Sequence, residues 1–202
     1  MPSYVPLRDG DEAGAGPVRR DHSLGHLYRN LAARAVLPGD EPEGSMMAMA
    51  ARGAPDRFLP AVRKLISLQP HGGGCTCGSR GGSYRPAGPL PLGGLIWDRE
   101  QPEAERNRAD LAAAAQVVFE DAVVHVAAHL RAVTGSETLV FAGGCALNTR
   151  LNAALAGRAG FGELFVPPAP HDAGTAVGAA LYGWCVDLDQ APPPAPVTDA
   201  DW

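Results

Sequence analysis

The sequence predicts an α/β protein, and three observations predict it. A long amphipathic helix covers Asp110 to Val133, two short β-prone runs follow at Thr138–Ala142 and Glu163–Val166, and each run is followed by a helical segment. The order helix, strand, helix, strand, helix implies a layer with at least two parallel strands, because a strand reached through a helical crossover returns in the same direction. The 202 residues suffice for one domain with a real core.

The elements justify themselves in chain order. Residues 1–21 are a polar lead-in rich in Gly, Pro and charge. Ser23 is placed to cap a helix in which Leu24, Leu27, Tyr28, Leu31 and Ala35 share a face, and Pro38-Gly39-Asp40 ends it. A short helix from Met46 to Ala51 stops at Gly53, and another is expected over Phe58–Leu68, with Leu59, Val62, Leu65 and Ile66 on one side. Residues 70–94 form a Gly/Pro-rich insert without periodicity, expected to be mobile and dispensable to the fold. In the long helix Leu111, Ala115, Val118, Ala122, Val126, Leu130 and Val133 form one stripe, and Gly135 stands at the expected stop. Thr138–Ala142 reads as a buried strand, Asn148–Ala159 as a helix, Glu163–Val166 as a second strand and Asp172–Trp184 as a helix of small residues. The domain is therefore placed at residues 22–187, with a Pro-rich tail at 188–202.

Composition narrows the function classes. A net charge of -5 argues against a basic nucleic-acid-binding surface. No uninterrupted apolar run approaches the length needed to cross a bilayer, and the first twenty residues lack the apolar segment of a signal peptide. Cys75, Cys77, Cys145 and Cys185 show no disulfide-framework spacing, so a reduced, cytoplasmic protein is expected.

Two motifs can carry chemistry. The first is Phe141-Ala142-Gly143-Gly144-Cys145-Ala146-Leu147-Asn148, at the exit of the first strand. Adjacent glycines allow a sharp turn and close approach of backbone to a ligand, and the following helix offers free N–H groups. A plain strand-to-helix turn is the alternative. The second is His171-Asp172-Ala173-Gly174-Thr175-Ala176-Val177-Gly178, where Asp172 reads either as a helix N-cap or as a carboxylate directed at a metal or phosphate. His22 and His26 have HxxxH spacing one turn apart on a helix but read as surface or half-buried histidines, and Cys75, Cys77 and His71 could meet a soft metal but lack a fourth ligand at useful spacing. His125 and His129 read as structural histidines, and Glu103, Glu105, Arg106 and Arg108 as a solvated helix entrance.

From Arg108 to Leu181 the chain resembles the O-carbamoyltransferases that modify antibiotics and nodulation factors. ADLAAAAQVVFEDAVVHVAAHL, LVFAGGCALNTRLN and FGELFVPPAPHDAGTAVGAAL carry the resemblance. Upstream, HSLGHLYRNL and GDEPEGSMMAMAARG are similar to that family's SLG-x-LY helix and the glutamate-containing segment after it. More distantly, GGCALN and DAGTAVG resemble the tRNA threonylcarbamoyl transferases. The resemblance implies one lobe of an actin-like nucleotide-binding domain, with ATP or carbamoyl-adenylate as ligand and a divalent metal, Fe or Mg. It puts Gly143, Gly144, Asn148 and Gly174 in the nucleotide site and Asp172 on the metal; no catalytic residue is assigned. It also implies a small-molecule hydroxyl acceptor, with AMP leaving as the hydroxyl attacks. The sequence departs from the family pattern in three ways. Ser45 stands where the family has lysine, and Ala48 and Ala51 where it has glycine and proline. The family's HxxxH metal pair is not found ahead of residue 21. The carbamoyl-adenylate-forming domain, expected after residue 184, is not found either. A partner chain supplying the first lobe and that domain, or self-association, is therefore expected. The competing expectation is a non-catalytic binding or scaffold subunit derived from such an enzyme.

Overall fold

The computed structural model describes residues 23–35, 42–68, 75–77 and 103–191. Helix α1 spans Leu24–Ala35, and the Ser23 hydroxyl accepts the His26 backbone N–H at 3.2 Å, the expected cap. Helix α2 spans Pro42–Ala50 and so begins four residues before the predicted start. Pro42 suits a first helical position, where its missing N–H removes no bond.

Helix α3, Leu59–Arg63, is shorter than predicted. Ile66–Leu68 is instead strand β1, paired antiparallel with β2, Cys75–Cys77, in the register Ile66↔Cys77. Three residues of the stretch predicted to be structureless are thus ordered against the end of a segment predicted to be helical. A helix of two or three turns is marginal alone, and a ladder with a β-prone partner competes with it. The remainder of the insert, the lead-in and most of the tail lie outside the described residues.

The hub is helix α4, Ala104–Thr134, which packs against α1, α2 and α3 and against α5, Thr149–Arg158. It ends at Gly135, in the left-handed conformation at φ 67°. Ala112–Ala115 are all buried. Small side chains let neighbours come close: a Cβ on Gly53 would lie 1.9 Å from the Ala109 carbonyl oxygen. Tyr28, Leu31, Met46, Val62, Leu111, Leu151 and Leu155 belong to the core around α4. The predicted stripe does not stay inside throughout. Leu130 and Val133 are exposed, because the last turns of α4 outrun the layer it covers. By length and composition α4 could also cross a membrane, although its apolar residues do not form one uninterrupted run. However, 67% of its most apolar stretch is buried inside the protein, as in a core helix.

Strands β3, Thr138–Val140, and β4, Glu163–Phe165, pair in parallel with Leu139 opposite Leu164 and Val140 opposite Phe165. The α/β prediction holds here. Leu139 is buried in the core, and Leu164 packs against it. Val140 and Phe165 are 65% and 55% exposed, so the strand expected to be buried is covered on one face only. Helix α6, Gly174–Tyr182, and a π-helical turn, Gly183–Asp187, follow, and neither contains a buried residue.

Candidate functional site where two glycine loops meet

β3 and β4 run side by side, so the loops that follow them emerge at the same end of the sheet. In parallel sheets that carboxyl end is where ligands bind. The loops are bonded directly: the Gly143 N–H donates to the Pro170 carbonyl at 2.6 Å. Gly143 has φ 100° and ψ 168°, a conformation that is essentially restricted to glycine. A 3₁₀ turn, Gly144–Leu147, follows. Open space surrounds the point where a Gly144 Cβ would stand.

The second loop folds back on itself. The Gly174 N–H donates to the His171 carbonyl at 2.8 Å, and a Cβ on Gly174 would fall 2.1 Å from the Ala169 carbonyl oxygen. The Thr175 hydroxyl donates to the Asp172 carbonyl at 2.6 Å. Asp172 is not the cap of α6. The cap position is Ala173 and has no side-chain cap bond, while the Ala173 N–H reaches His171 Nδ1 at 3.3 Å. The N-cap alternative for Asp172 is therefore corrected, because the chain enters α6 one residue later. The Asp172 side chain is exposed and enters none of the described hydrogen bonds or ion pairs. Gly143, Gly144, Asp172 and Gly174 thus lie on two joined loops.

Asn148 is used differently. It caps α5: its Oδ1 accepts the Leu151 N–H at 3.0 Å. The same oxygen accepts from Gln116 Nε2 at 3.1 Å, and Asn148 Nδ2 donates to Gln116 Oε1 at 3.0 Å. Gln116 Oε1 also accepts from the Tyr28 hydroxyl at 2.6 Å, and Gln116 Nε2 donates to Glu120 Oε1 at 2.7 Å. Arg150 Nε stands 3.5 Å from Glu120 Oε1. Burial pushes the Tyr28 hydroxyl well above the usual tyrosine range, opposed by its interaction with Asn148 and by the Arg150 charge. Sequence reasoning took Tyr28 as one of an apolar stripe and missed Gln116 and Glu120. The available signal was two polar residues one turn apart inside the most alanine-rich stretch of α4.

Cys145 is half-buried, and burial raises the pKa of its thiol, so it stays protonated near neutrality. A Cβ on Gly25 would lie 3.0 Å from its sulfur, so α1 abuts the first loop there.

No group of three or more His, Cys, Asp or Glu side chains among the described residues could hold a metal ion. The residues described do not by themselves fit a resident metal; Asp172 offers a single carboxylate. Ser45 is exposed on α2, and His125 and His129 are half-buried on α4. His22, His71 and the side chains of Cys75 and Cys77 lie outside the described residues.

Fold and loops together define an α/β protein with two glycine turns at the carboxyl end of a parallel strand pair. Residues 96–181 match the family described as carbamoyltransferase N-terminus. The chain is 34% identical over 164 residues to nodulation protein NolO of Bradyrhizobium diazoefficiens, covering 79% of this chain and 28% of the relative. It is 36% identical over 115 residues to nodulation protein NolNO of Sinorhizobium fredii, covering 57% and 17%. It is 48% identical over 46 residues to nodulation protein U of B. diazoefficiens, covering 23% and 8%. Over this segment the chain matches the O-carbamoyltransferase family. It spans well under a third of the length of these relatives.

Proposed function

We propose that this chain is one lobe of an actin-like domain in an ATP-dependent O-carbamoyltransferase, and that its two joined loops receive the nucleotide. The Gly143 N–H bond to Pro170 carries the reading, because it holds both glycine turns at one end of a parallel strand pair in a segment that matches the family. The Gly144 and Cys145 N–H groups, which enter none of the described hydrogen bonds, and the positive end of the α6 dipole favour a phosphate there. In the proposed reaction an acceptor hydroxyl attacks the carbamoyl carbon of a carbamoyl-adenylate. The new O–C bond forms, the carbamoyl carbon's bond to the phosphate oxygen breaks, AMP leaves with the electron pair, and the hydroxyl proton passes to water. N–H groups aimed at that phosphate stabilise the departing charge. The first lobe and the adenylate-forming domain come from further sequence or a partner chain, in a cytoplasmic assembly. Asp172 contributes one carboxylate toward a divalent metal, Fe or Mg, whose remaining ligands come from outside the described residues. Bound, the metal would neutralise phosphate charge.

The test is ATP titration of the assembled protein with and without divalent metal, for wild type and Asp172→Asn. Because Asp172 is not a cap, the substitution leaves the melting temperature unchanged, while metal-dependent ATP affinity falls strongly. Equal affinities would remove Asp172 from the site. The second reading, a non-catalytic scaffold subunit, is favoured by Ser45, exposed on α2, where the family pattern has lysine. An assembly that binds no ATP at all would put that reading first.

A further inference from the structure

We infer that Gln116 is a positioning residue for the first glycine loop: its side-chain amide sets the orientation of Asn148, and Asn148 fixes where the Gly143–Leu147 turn ends. Gln116 is completely buried at 0% exposure, in the middle of α4, and its described hydrogen bonds go to Tyr28, Glu120 and Asn148 rather than to the loop glycines. All four of its side-chain hydrogen-bonding sites are used. Oε1 accepts from Tyr28 and Asn148, and Nε2 donates to Glu120 and Asn148. Glu120 Oε1 also faces the Arg150 guanidinium, so it meets Gln116 as an acceptor; Nε2 therefore faces Glu120 and Oε1 faces Tyr28. With the Gln116 amide held that way, Asn148 has one satisfying orientation. Its Oδ1 points to Gln116 Nε2 and the Leu151 N–H, and its Nδ2 points to Gln116 Oε1. The Asn148 N–H also donates to the Cys145 carbonyl at 3.1 Å, so a fixed Asn148 closes the turn that starts at Gly143. Rotating either amide would set like groups against each other in a buried site, which is costly.

This inference rests on the proposed nucleotide role of the loop for its functional consequence, but its structural core is tested without ligand. Hydrogen exchange is measured over residues 141–152 in wild type, Gln116→Leu, Asn148→Ala and the double variant, with Val62→Ala as a destabilised control remote from the loop. Gln116→Leu should speed exchange there by about tenfold, the effect of leaving buried partners unmade. Val62→Ala should change it no more than its global destabilisation requires. The double variant should be no worse than Asn148→Ala, because both act through one link. Should Gln116→Leu fail to fold, Tyr28→Phe removes only one of the hydrogen bonds that hold the amide and should give a smaller increase at the same residues. Unchanged exchange in Gln116→Leu, or in Tyr28→Phe where that variant stands in for it, overturns the inference, as do additive effects. ATP titration of the same proteins separates the two claims. Wild type that binds ATP should lose about tenfold in affinity on Gln116→Leu. Wild type with a protected loop but no ATP binding would defeat the nucleotide reading and leave the positioning role standing.

Discussion

The helices around α4 and the segment that follows β4 are built from similar residues but bury them very differently. Around α4, alanines and leucines interlock: Leu111, Met46, Val62, Leu151 and Leu155 are at most 1% exposed. Beyond β4, residues of comparable hydropathy stand open, among them Val177, Leu181, Tyr182, Trp184 and Val186. Apolar composition alone therefore does not make a core; a facing layer is also needed. Parallel strands are ordinarily covered on both faces, yet β3 and β4 are covered on one. The helical half supports the loops, and the C-terminal half presents them.

The largest effect should come from deleting side chains on the two sides of that divide. Leu111→Ala leaves a cavity in a packed core and should cost about 2–5 kcal/mol. Leu181→Ala, on α6, should stay within about 0.5 kcal/mol, as at an exposed position. Urea denaturation of both variants measures the contrast. A loss at Leu181 comparable to that at Leu111 would mean α6 is covered in solution.

Two glycines give a subtler comparison. A methyl at Gly53 would meet the Ala109 carbonyl oxygen at 1.9 Å, and one at Gly174 would meet the Ala169 carbonyl oxygen at 2.1 Å. Both clashes are with backbone and cannot be relieved by a rotamer. Gly53→Ala should cost about 1–3 kcal/mol of global stability, because it separates α4 from the segment packed on it. Gly174→Ala should instead distort the second loop locally, with a melting temperature close to wild type, because α6 contributes no buried residue. Thermal melts and hydrogen exchange over residues 169–178 distinguish global from local damage.

Much of this was legible in the sequence where the cause is local. Ser23 and Gly135 mark helix ends because a cap or a left-handed turn is decided within a few residues. The parallel pair was legible because β3, α5 and β4 follow one another with little between them. β1 and β2 were hidden because three-residue strands leave no alternation to count and their partnership crosses a Gly/Pro-rich stretch. The Tyr28–Gln116 bond was hidden for a stronger reason: its partners are 88 residues apart, and nothing near either one requires the other. The glycine loops were legible as motifs, but their direct bond and the release of Asp172 from capping α6 depend on where the strands bring them.

The smallest expected effect concerns alkaline pH and belongs to the buried half. Tyr28 and Cys145 both have pKa values raised chiefly by burial. A raised pKa in the folded state means that the folded protein keeps a proton which the unfolded chain releases earlier. Below the unfolded pKa both states are protonated and the contribution to stability is complete. As pH rises above it, the unfolded chain ionises first, and stability falls until the folded pKa is passed. The decline should begin near pH ~8.5, where a free thiol titrates, and steepen above pH ~10, where a free tyrosine does. Cys145→Ala should remove the first part of the decline and Tyr28→Phe the second. Urea midpoints across this range measure both. The two steps belong to different contacts: Cys145 sits where α1 meets the first loop, and Tyr28 donates into the Gln116 network. A decline between pH ~8.5 and ~10 that survives Cys145→Ala would show that the thiol does not keep its raised pKa in solution, and that α1 holds the loop less closely than the Gly25 contact implies.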